Sequence, residues 1–126
     1  MQVRIRAYRI FSTKERHKEQ TVKGAVILRE STIERKLVTE VKKRGGLAVK
    51  FVSPGFVGVP DRLVLFPGGK MAFVELKAPG KSLRPLQKLR ARQLIALGFR
   101  VYCIDSKDKI RGVLDEIELS VVRQSI

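Results

Sequence analysis

The chain has 126 residues, and its 27 lysines and arginines outnumber its 12 aspartates and glutamates, so the formal net charge is +15. This length suits one domain with a hydrophobic core of its own, and an apolar content of 44% argues against a disordered chain. Residues 51–60 form the longest stretch without a charged side chain. A membrane-spanning helix needs about 20 mostly apolar residues, so we expect no membrane span.

Cysteine content and charge bear on the compartment and on the partner. The single cysteine, Cys103, cannot form an internal disulfide or a structural zinc site, which favours a reducing cytoplasm. Such an excess of basic residues points to a polyanionic partner. Nucleic acid is the first candidate, because its phosphates release counterions when lysine and arginine neutralise them. On charge alone, an anionic membrane surface and an acidic protein are alternatives.

The N-terminal part of the chain is interpreted as a basic extension followed by a helix. Residues 1–30 carry a net charge of +5 and are either a basic arm, an added edge strand or an upstream extension. Residues 31–126 are expected to form the domain itself. Its first helix is predicted from about residue 32 to residue 44, with a capping box at residues 31–34 and an end at Gly45.

A strand and a β-hairpin are predicted next. Residues 47–52 are β-branched or apolar and indicate a strand, which a loop follows. Residues 61–66 and 70–77 also indicate strands, and Pro67-Gly68-Gly69 between them supplies the turn of a hairpin. Phe56 in the loop has the aromatic ring needed to stack on DNA, but we expect it to pack against the protein instead.

The C-terminal part is predicted to contain a helix, a strand and a last helix. The first of these runs from about residue 84 to residue 97, and its core face is expected at Leu86, Leu94 and Leu97. Residues 99–105 indicate a strand. The whole order, α-β-β-β-α-β-α, predicts an α/β or α+β domain with a mixed sheet.

Two acidic residues and a lysine are brought together by the predicted hairpin. If it turns about Gly68, Asp61 and Glu75 lie opposite each other with Cβ atoms about 4.5–5.5 Å apart, and Lys77 points to the same face as Glu75. Two carboxylates this close repel each other, and a divalent cation such as Mg²⁺ or Mn²⁺ removes the conflict. Lys77 could then orient a water and hold negative charge on a phosphate. The pattern predicts a phosphodiesterase site.

Glu34 on the first helix has two interpretations. It falls within the helical arc of Ile33, Leu37 and Val41, which are expected in the core, and a carboxylate there needs a partner such as the metal site. It is also the acidic member of the capping box that begins at Ser31. The sequence supports the two interpretations about equally.

Basic residues are concentrated after the candidate site. Between Glu75 and Asp105 the sequence has seven basic residues and no acidic one. Three of them recur every four residues and form a stripe on the second predicted helix. A basic helix face is often only solvated, but this one follows the candidate metal site. We expect four residues to contact DNA phosphates: Lys81, Arg84, Lys88 and Arg92.

These motifs resemble the PD-(D/E)xK nuclease superfamily, and more closely its virus-type replication–repair nuclease (VRR-NUC) domain. The matching segments are Gly58-Val59-Pro60-Asp61-Arg62-Leu63, Phe73-Val74-Glu75-Leu76-Lys77 and residues 82–87, and the resemblance covers roughly residues 31–106. It implies a restriction-endonuclease-like core in the order α-β-β-β-α-β with a C-terminal helix. It also implies cleavage of DNA phosphodiester bonds with Mg²⁺ or Mn²⁺.

The resemblance further implies roles for individual residues. Asp61 and Glu75 would bind the metal together with the backbone carbonyl of Leu76, and Glu34 would bind it directly or through a water. Among the catalytic residues, Lys77 would position the attacking water. Gln87 would complete the implied catalytic set by helping to orient the Lys77 side of the site.

The family resemblance also implies a substrate and an assembly. Its members include stand-alone phage proteins that act as homodimers on branched DNA, such as four-way (Holliday) junctions or flaps. We therefore expect a homodimeric enzyme in the cytoplasm of a bacterial or phage-infected cell. The alternative is a catalytically inactive basic DNA-binding module, whose binding would be salt-sensitive but without cleavage. Paired carboxylates would repel a phosphate backbone, which favours the enzyme.

Overall fold

The computed structural model of the chain describes residues 23–121, so most of the predicted N-terminal extension lies outside the described residues. The described elements follow one another as α1 (Lys23–Lys43), β1 (Leu47–Lys50), β2 (Arg62–Phe66), β3 (Lys70–Leu76), α2 (Pro85–Ala96), β4 (Val101–Ile104), a 3₁₀ turn (Lys107–Lys109) and α3 (Ile110–Glu118). This order confirms the predicted α-β-β-β-α-β-α succession.

The four strands form one mixed sheet in the order β1-β2-β3-β4. The first three strands are antiparallel to their neighbours, and β3 and β4 are parallel because α2 carries the chain back between them. The β2–β3 hairpin turns at Gly68 and Gly69, whose φ angles of 86° and 77° lie in the left-handed region that glycine adopts without strain. The predicted hairpin and its turn are therefore confirmed.

The two faces of the sheet have separate hydrophobic cores. On one face, α1 and α3 bury side chains such as Leu37, Val74 and Tyr102, each 0% exposed. On the other face, Phe73 packs with residues of α2 such as Ile95. Gln87, in the first turn of α2, is hydrogen-bonded to the end of β3. The sheet thus fixes the first turn of α2 beside the strand ends that carry the candidate site.

Helix α1 begins at Lys23, well before the predicted start at residue 32. Residues 31–34 therefore lie inside the helix, and the predicted capping box is wrong. The helix continues through this segment because Ile33 and Leu37 are buried against the sheet, and tertiary packing stabilises a helix more than a local cap does. The boundary expected between residues 30 and 31 falls within α1.

The core face predicted for α2 is also largely wrong. Leu86 and Leu97 are 40% and 73% exposed, and Leu94 is only partly buried. The buried residues of the helix are Ala91 and Ile95. Apolar residues occur all around this helix, so their spacing did not identify the face that packs on the sheet.

Helices that could span a bilayer are absent from residues 23–121, since none of the helices there is both long enough and apolar enough.

Candidate active site

The β2–β3 hairpin places Asp61 next to the end of β3. Strand pairing joins Arg62 to Val74, and its register carries Asp61 to the position opposite Glu75. The backbone N–H of Leu76 donates a hydrogen bond to Oδ2 of Asp61, with an N–O distance of 3.2 Å. The register predicted from a turn at Gly68 is confirmed, and it brings two carboxylates to the same end of the hairpin.

Glu75 is the buried carboxylate of this pair. The residue is only 4% exposed, and its Oε2 lies 3.6 Å from Nζ of Lys77. Burial, and then the negative charge of Asp61, raise the pKa of Glu75 to about 7, against the opposing effect of Lys77. Burial likewise raises the pKa of Asp61, while the hydrogen bond from Leu76 acts in the opposite direction.

Gln87 connects the first turn of α2 to Glu75. Its Nε2 donates a hydrogen bond to Oε2 of Glu75 at 2.8 Å, and its Oε1 accepts the backbone N–H of Arg84 at 2.9 Å. The second contact fixes the orientation of the amide, so that its NH₂ group points at the carboxylate. Oε2 of Glu75 is thus held by Gln87 and lies close to Lys77, and Gln87 orients the carboxylate rather than contacting the lysine.

Glu34 projects from α1 and is paired with an arginine of β2. Its Oε2 accepts a hydrogen bond from the guanidinium of Arg62 at 2.5 Å. The same guanidinium donates to the backbone carbonyl of Ala48 at 2.9 Å. The side chain of Arg62 is only 11% exposed, and its Nε has no partner among the described residues. Glu34 therefore serves as the counter-ion of a buried arginine as well as facing the site.

Glu30, one turn before Glu34, is a site residue that sequence reasoning missed. Burial, and then the charge of Asp61, raise the pKa of the Glu30 carboxyl, while Lys77 lowers it. Glu30 also lines the same cavity as Asp61. The spacing of four between Glu30 and Glu34 puts them on one helix face, but this signal requires a helix that already includes residue 30.

A cavity of about 390 Å³ lies between α1 and the strand ends. Acidic residues of α1 and the aspartate that precedes β2 face it, together with residues at the end of β1 and directly after it. Its lining consists of Glu30, Ser31, Glu34, Lys50, Phe51, Val52, Asp61 and Leu76. Glu30, Glu34 and Asp61 thus face one cavity. Glu75 lies beside it, opposite Asp61, and both Lys77 and Gln87 lie next to Glu75.

The donor set fits a hard divalent cation. Asp61 and Glu75 provide carboxylate oxygens beside the ammonium of Lys77, and Glu30 and Glu34 line the adjoining cavity. Within residues 23–121, no three His, Cys, Asp or Glu side chains are grouped closely enough to hold a metal alone. This arrangement suits Mg²⁺ or Mn²⁺, since Mg²⁺ usually takes one or two carboxylates and completes its shell with water and substrate phosphate.

The basic residues predicted to contact DNA lie along the segment that leads into and through α2. All four are exposed, and none forms an ion pair with an acidic side chain in the part of the chain that the structure describes. Arg84 immediately precedes α2, three residues before Gln87. The first of these positive charges therefore lie next to the carboxylate pair. The four residues are Lys81, Arg84, Lys88 and Arg92.

Known proteins share both the sequence and the fold of this chain. No protein-family model matches the sequence. The chain is 55% identical over 82 residues to "Putative nuclease p44" of Acyrthosiphon pisum secondary endosymbiont phage 1, a match that spans 65% of this chain and 88% of that protein. A solved structure described as "VRR_NUC domain" superposes with a TM-score of 0.63 at 23% identity, over 69% of this chain and 95% of that one. The predicted fold class is confirmed.

Proposed function

The chain belongs to the family of the phage protein p44 and has the VRR-NUC fold that its motifs predict, and from this premise we propose that it is a metal-dependent nuclease that hydrolyses phosphodiester bonds in DNA. The observation that carries the proposal is the pairing of Asp61 and Glu75 beside Lys77. A purely structural role would not require two carboxylates to be held together at the cost of a raised pKa.

The proposed metal ligands are Asp61, Glu75 and the backbone carbonyl of Leu76. Glu34 would contribute through a water, since no three acidic side chains of residues 23–121 are grouped closely enough to bind one metal directly. When bound, Mg²⁺ or Mn²⁺ supplies Lewis-acid chemistry, polarising the phosphoryl oxygen and lowering the pKa of water. Leu76 lines the cavity next to Asp61, which supports its place in this set. Glu30 faces the same cavity and adds negative charge on the α1 side.

Lys77 and Gln87 are proposed to act on the reactants and on the ligands, respectively. The Lys77 side chain is 13% exposed, so its ammonium is largely fixed in place. One side of it faces Glu75, and its remaining N–H donors, which have no partner among the described residues, can position a water or stabilise charge on a phosphate oxygen. Gln87 keeps Oε2 of Glu75 in one orientation through its own hydrogen bond.

The substrate and the assembly are the finer parts of the proposal. The exposed basic residues from Lys81 to Arg92 suit a DNA backbone. We propose branched DNA, such as four-way junctions or flaps, as the substrate and a homodimer as the active assembly, because the sequence resembles phage proteins of that kind. Exposed leucines such as Leu47 and Leu97 offer apolar surface for a subunit contact. Because the proposed substrate is DNA, we propose the cytoplasm of a bacterial or phage-infected cell as the location of the protein.

A cleavage panel tests the function. Labelled duplex, flap, splayed-arm and four-way junction DNA would be incubated with the protein in Mg²⁺, in Mn²⁺ and in EDTA. The proposal predicts metal-dependent cuts, fastest in the branched substrates, by a complex whose mass in light scattering contains two protein chains. Salt-sensitive binding without cleavage in either metal would instead identify an inactive DNA-binding module. A monomer on junction DNA would contradict the homodimer.

A further inference from the structure

An uncharged loop projects beside the candidate active site. It runs through residues 51–60 and is closed at its base by a hydrogen bond from the Phe51 N–H to the backbone carbonyl of Asp61, at 2.8 Å. A second hydrogen bond, from the Phe56 N–H to the Ser53 carbonyl at 3.0 Å, forms a turn within it. Its first residues, Phe51 and Val52, line the acidic cavity. The position of the 51–60 loop is thus coupled to that of Asp61.

Arg90 of α2 braces the tip of this loop. Its guanidinium carbon lies 4.0 Å from the ring centroid of Phe56, a cation–π contact. Its Nε also donates a hydrogen bond to the Val57 carbonyl at 2.7 Å. Although Arg90 lies among the basic residues that follow Glu75, its guanidinium is occupied by the loop. It is therefore placed to hold the loop rather than to contact phosphate.

Gly58 allows the loop to approach α2 closely. A Cβ atom at this position would lie 2.8 Å from Cγ of Leu86, and the φ angle of Gly58 is +95°. The backbone of Gly58 therefore lies close to Leu86 of α2, and no side chain fits between them. The 51–60 loop is thus held against α2 on two sides, by Gly58 and by Arg90.

The braced tip nevertheless exposes apolar surface. Phe56 packs against Arg90, as predicted, but is still 37% exposed, and Val57 is 62% exposed. Neither side chain attracts a phosphate. Both would pack against the face of a base or against a deoxyribose, and aromatic rings stack on bases of any sequence. In continuous duplex the base faces are covered by their neighbours, whereas a branch point leaves some of them uncovered.

We propose that the tip of the 51–60 loop, formed by Phe56 and Val57, packs against an unpaired or unstacked base next to the cleavage site and so selects branched DNA over continuous duplex. This inference rests on the proposed nuclease function and deepens it. Phe56 and Val57 determine the specificity, and Arg90 is a positioning residue that acts through them. The loop base at Asp61 sets the distance between the recognised base and the carboxylate pair.

Specificity is measured as the ratio of kcat/KM on a four-way junction to kcat/KM on duplex of the same sequence. Phe56→Ala and Val57→Ser should each lower this ratio about tenfold, which corresponds to about 1.4 kcal/mol. Arg90→Lys keeps the charge but loses the planar stacking and the Nε contact, so it should lower the ratio by a smaller factor. The matched control is Leu119→Ser, which removes an exposed leucine at the end of α3 and should change the ratio less than twofold.

Binding measured without cleavage separates this inference from the proposed function. In an Asp61→Asn background and in EDTA, the affinity ratio between junction and duplex would be measured by fluorescence anisotropy, and Phe56→Ala and Val57→Ser should again lower it about tenfold. Val57 is exposed enough for Val57→Ser to fold even if Phe56→Ala does not. Ratios within twofold of the parent in foldable variants would overturn the loop's role, even where metal-dependent cleavage is normal. If the parent protein cleaves no DNA but the variants still lose the preference for junction binding, the role of the loop is supported and the proposed nuclease function is contradicted.

Discussion

Glu75 combines burial, a carboxylate neighbour and a lysine in one small volume. Its pKa is raised from 4.5 to about 7 in the metal-free protein. Between these two pH values the carboxyl group is still protonated in the folded state but already ionised in the unfolded state. Ionising Glu75 in the folded protein therefore lowers the free energy of unfolding, and this loss of stability grows as the pH rises from 4.5 through 7. Below 4.5 both states are protonated and there is no cost. A bound divalent cation would stabilise the charged form.

Glu75→Gln removes that cost. In the absence of metal, the variant should have a free energy of unfolding higher than that of the parent by roughly 1–3 kcal/mol at pH 8, with the gain almost gone near pH 4.5. Urea denaturation at the two pH values measures it. Asp108→Asn, at an exposed position, is the matched control and should show no such pH-dependent gain. A gain of equal size at both pH values, or none at pH 8, would contradict the assignment.

The two acidic residues of α1 that line the cavity, Glu30 and Glu34, should respond differently to substitution by glutamine. Glu34→Gln leaves the buried Arg62 without an anion and should lower the free energy of unfolding by about 1–2 kcal/mol. Glu30→Gln removes a repelling charge from the cavity, so the protein should be at least as stable as the parent, while cleavage falls about tenfold or more. Denaturation and single-turnover cleavage of both variants test the difference. A stable Glu34→Gln variant together with an unstable Glu30→Gln variant would reverse the two roles.

At the scale of elements, the parts predicted correctly are those determined by neighbouring residues. The hairpin was predictable because its strands and its two-glycine turn are contiguous, and the register followed from the turn at Gly68. The start of α1 could not be predicted from the sequence, because the helix is stabilised by packing on the sheet rather than by a cap. The Glu34–Arg62 pair joins residues 28 positions apart, and no local pattern signals it.

The contact between the 51–60 loop and α2 can be tested by a pair of glycine variants. Gly58→Ala places a Cβ atom 2.8 Å from Leu86 at a φ angle of +95°, and should destabilise the protein by about 1–3 kcal/mol. Gly55→Ala, three residues earlier, has nothing within 4 Å of the added atom and should change stability by less than about 0.5 kcal/mol. Thermal and urea denaturation compare the two. Equal stabilities would show that the loop does not rest on α2.

At the scale of the whole molecule, the net charge of +15 is divided between a candidate DNA surface and other regions. The exposed residues that follow the site form the proposed backbone contact, and they include Lys88 and Arg92 of α2. Positive charge elsewhere, for example at Lys107 and Arg111, lies on other elements. Only the first group should take part in counterion release on binding.

Removing both Lys88 and Arg92 by substitution with alanine should weaken duplex binding and reduce the slope of log K against log salt by about two, since each phosphate contact contributes about 0.9 for B-DNA. The control is the double variant Lys107→Ala with Arg111→Ala, which removes the same charge from exposed positions. Its slope should equal that of the parent. Equal changes in both double variants would mean that binding depends on net charge alone and not on the α2 surface.

We propose that the Asp61–Glu75 pair at the end of the β2–β3 hairpin is a metal-dependent phosphodiesterase site. Its most direct test is single-turnover cleavage of a labelled four-way junction in Mn²⁺ by the parent, by Asp61→Asn and by the control Asp108→Asn. We predict that Asp61→Asn lowers the cleavage rate at least about 100-fold, in the range measured when one catalytic electrostatic group is removed. The control should cut like the parent. Cleavage by Asp61→Asn within threefold of the parent would contradict the assignment.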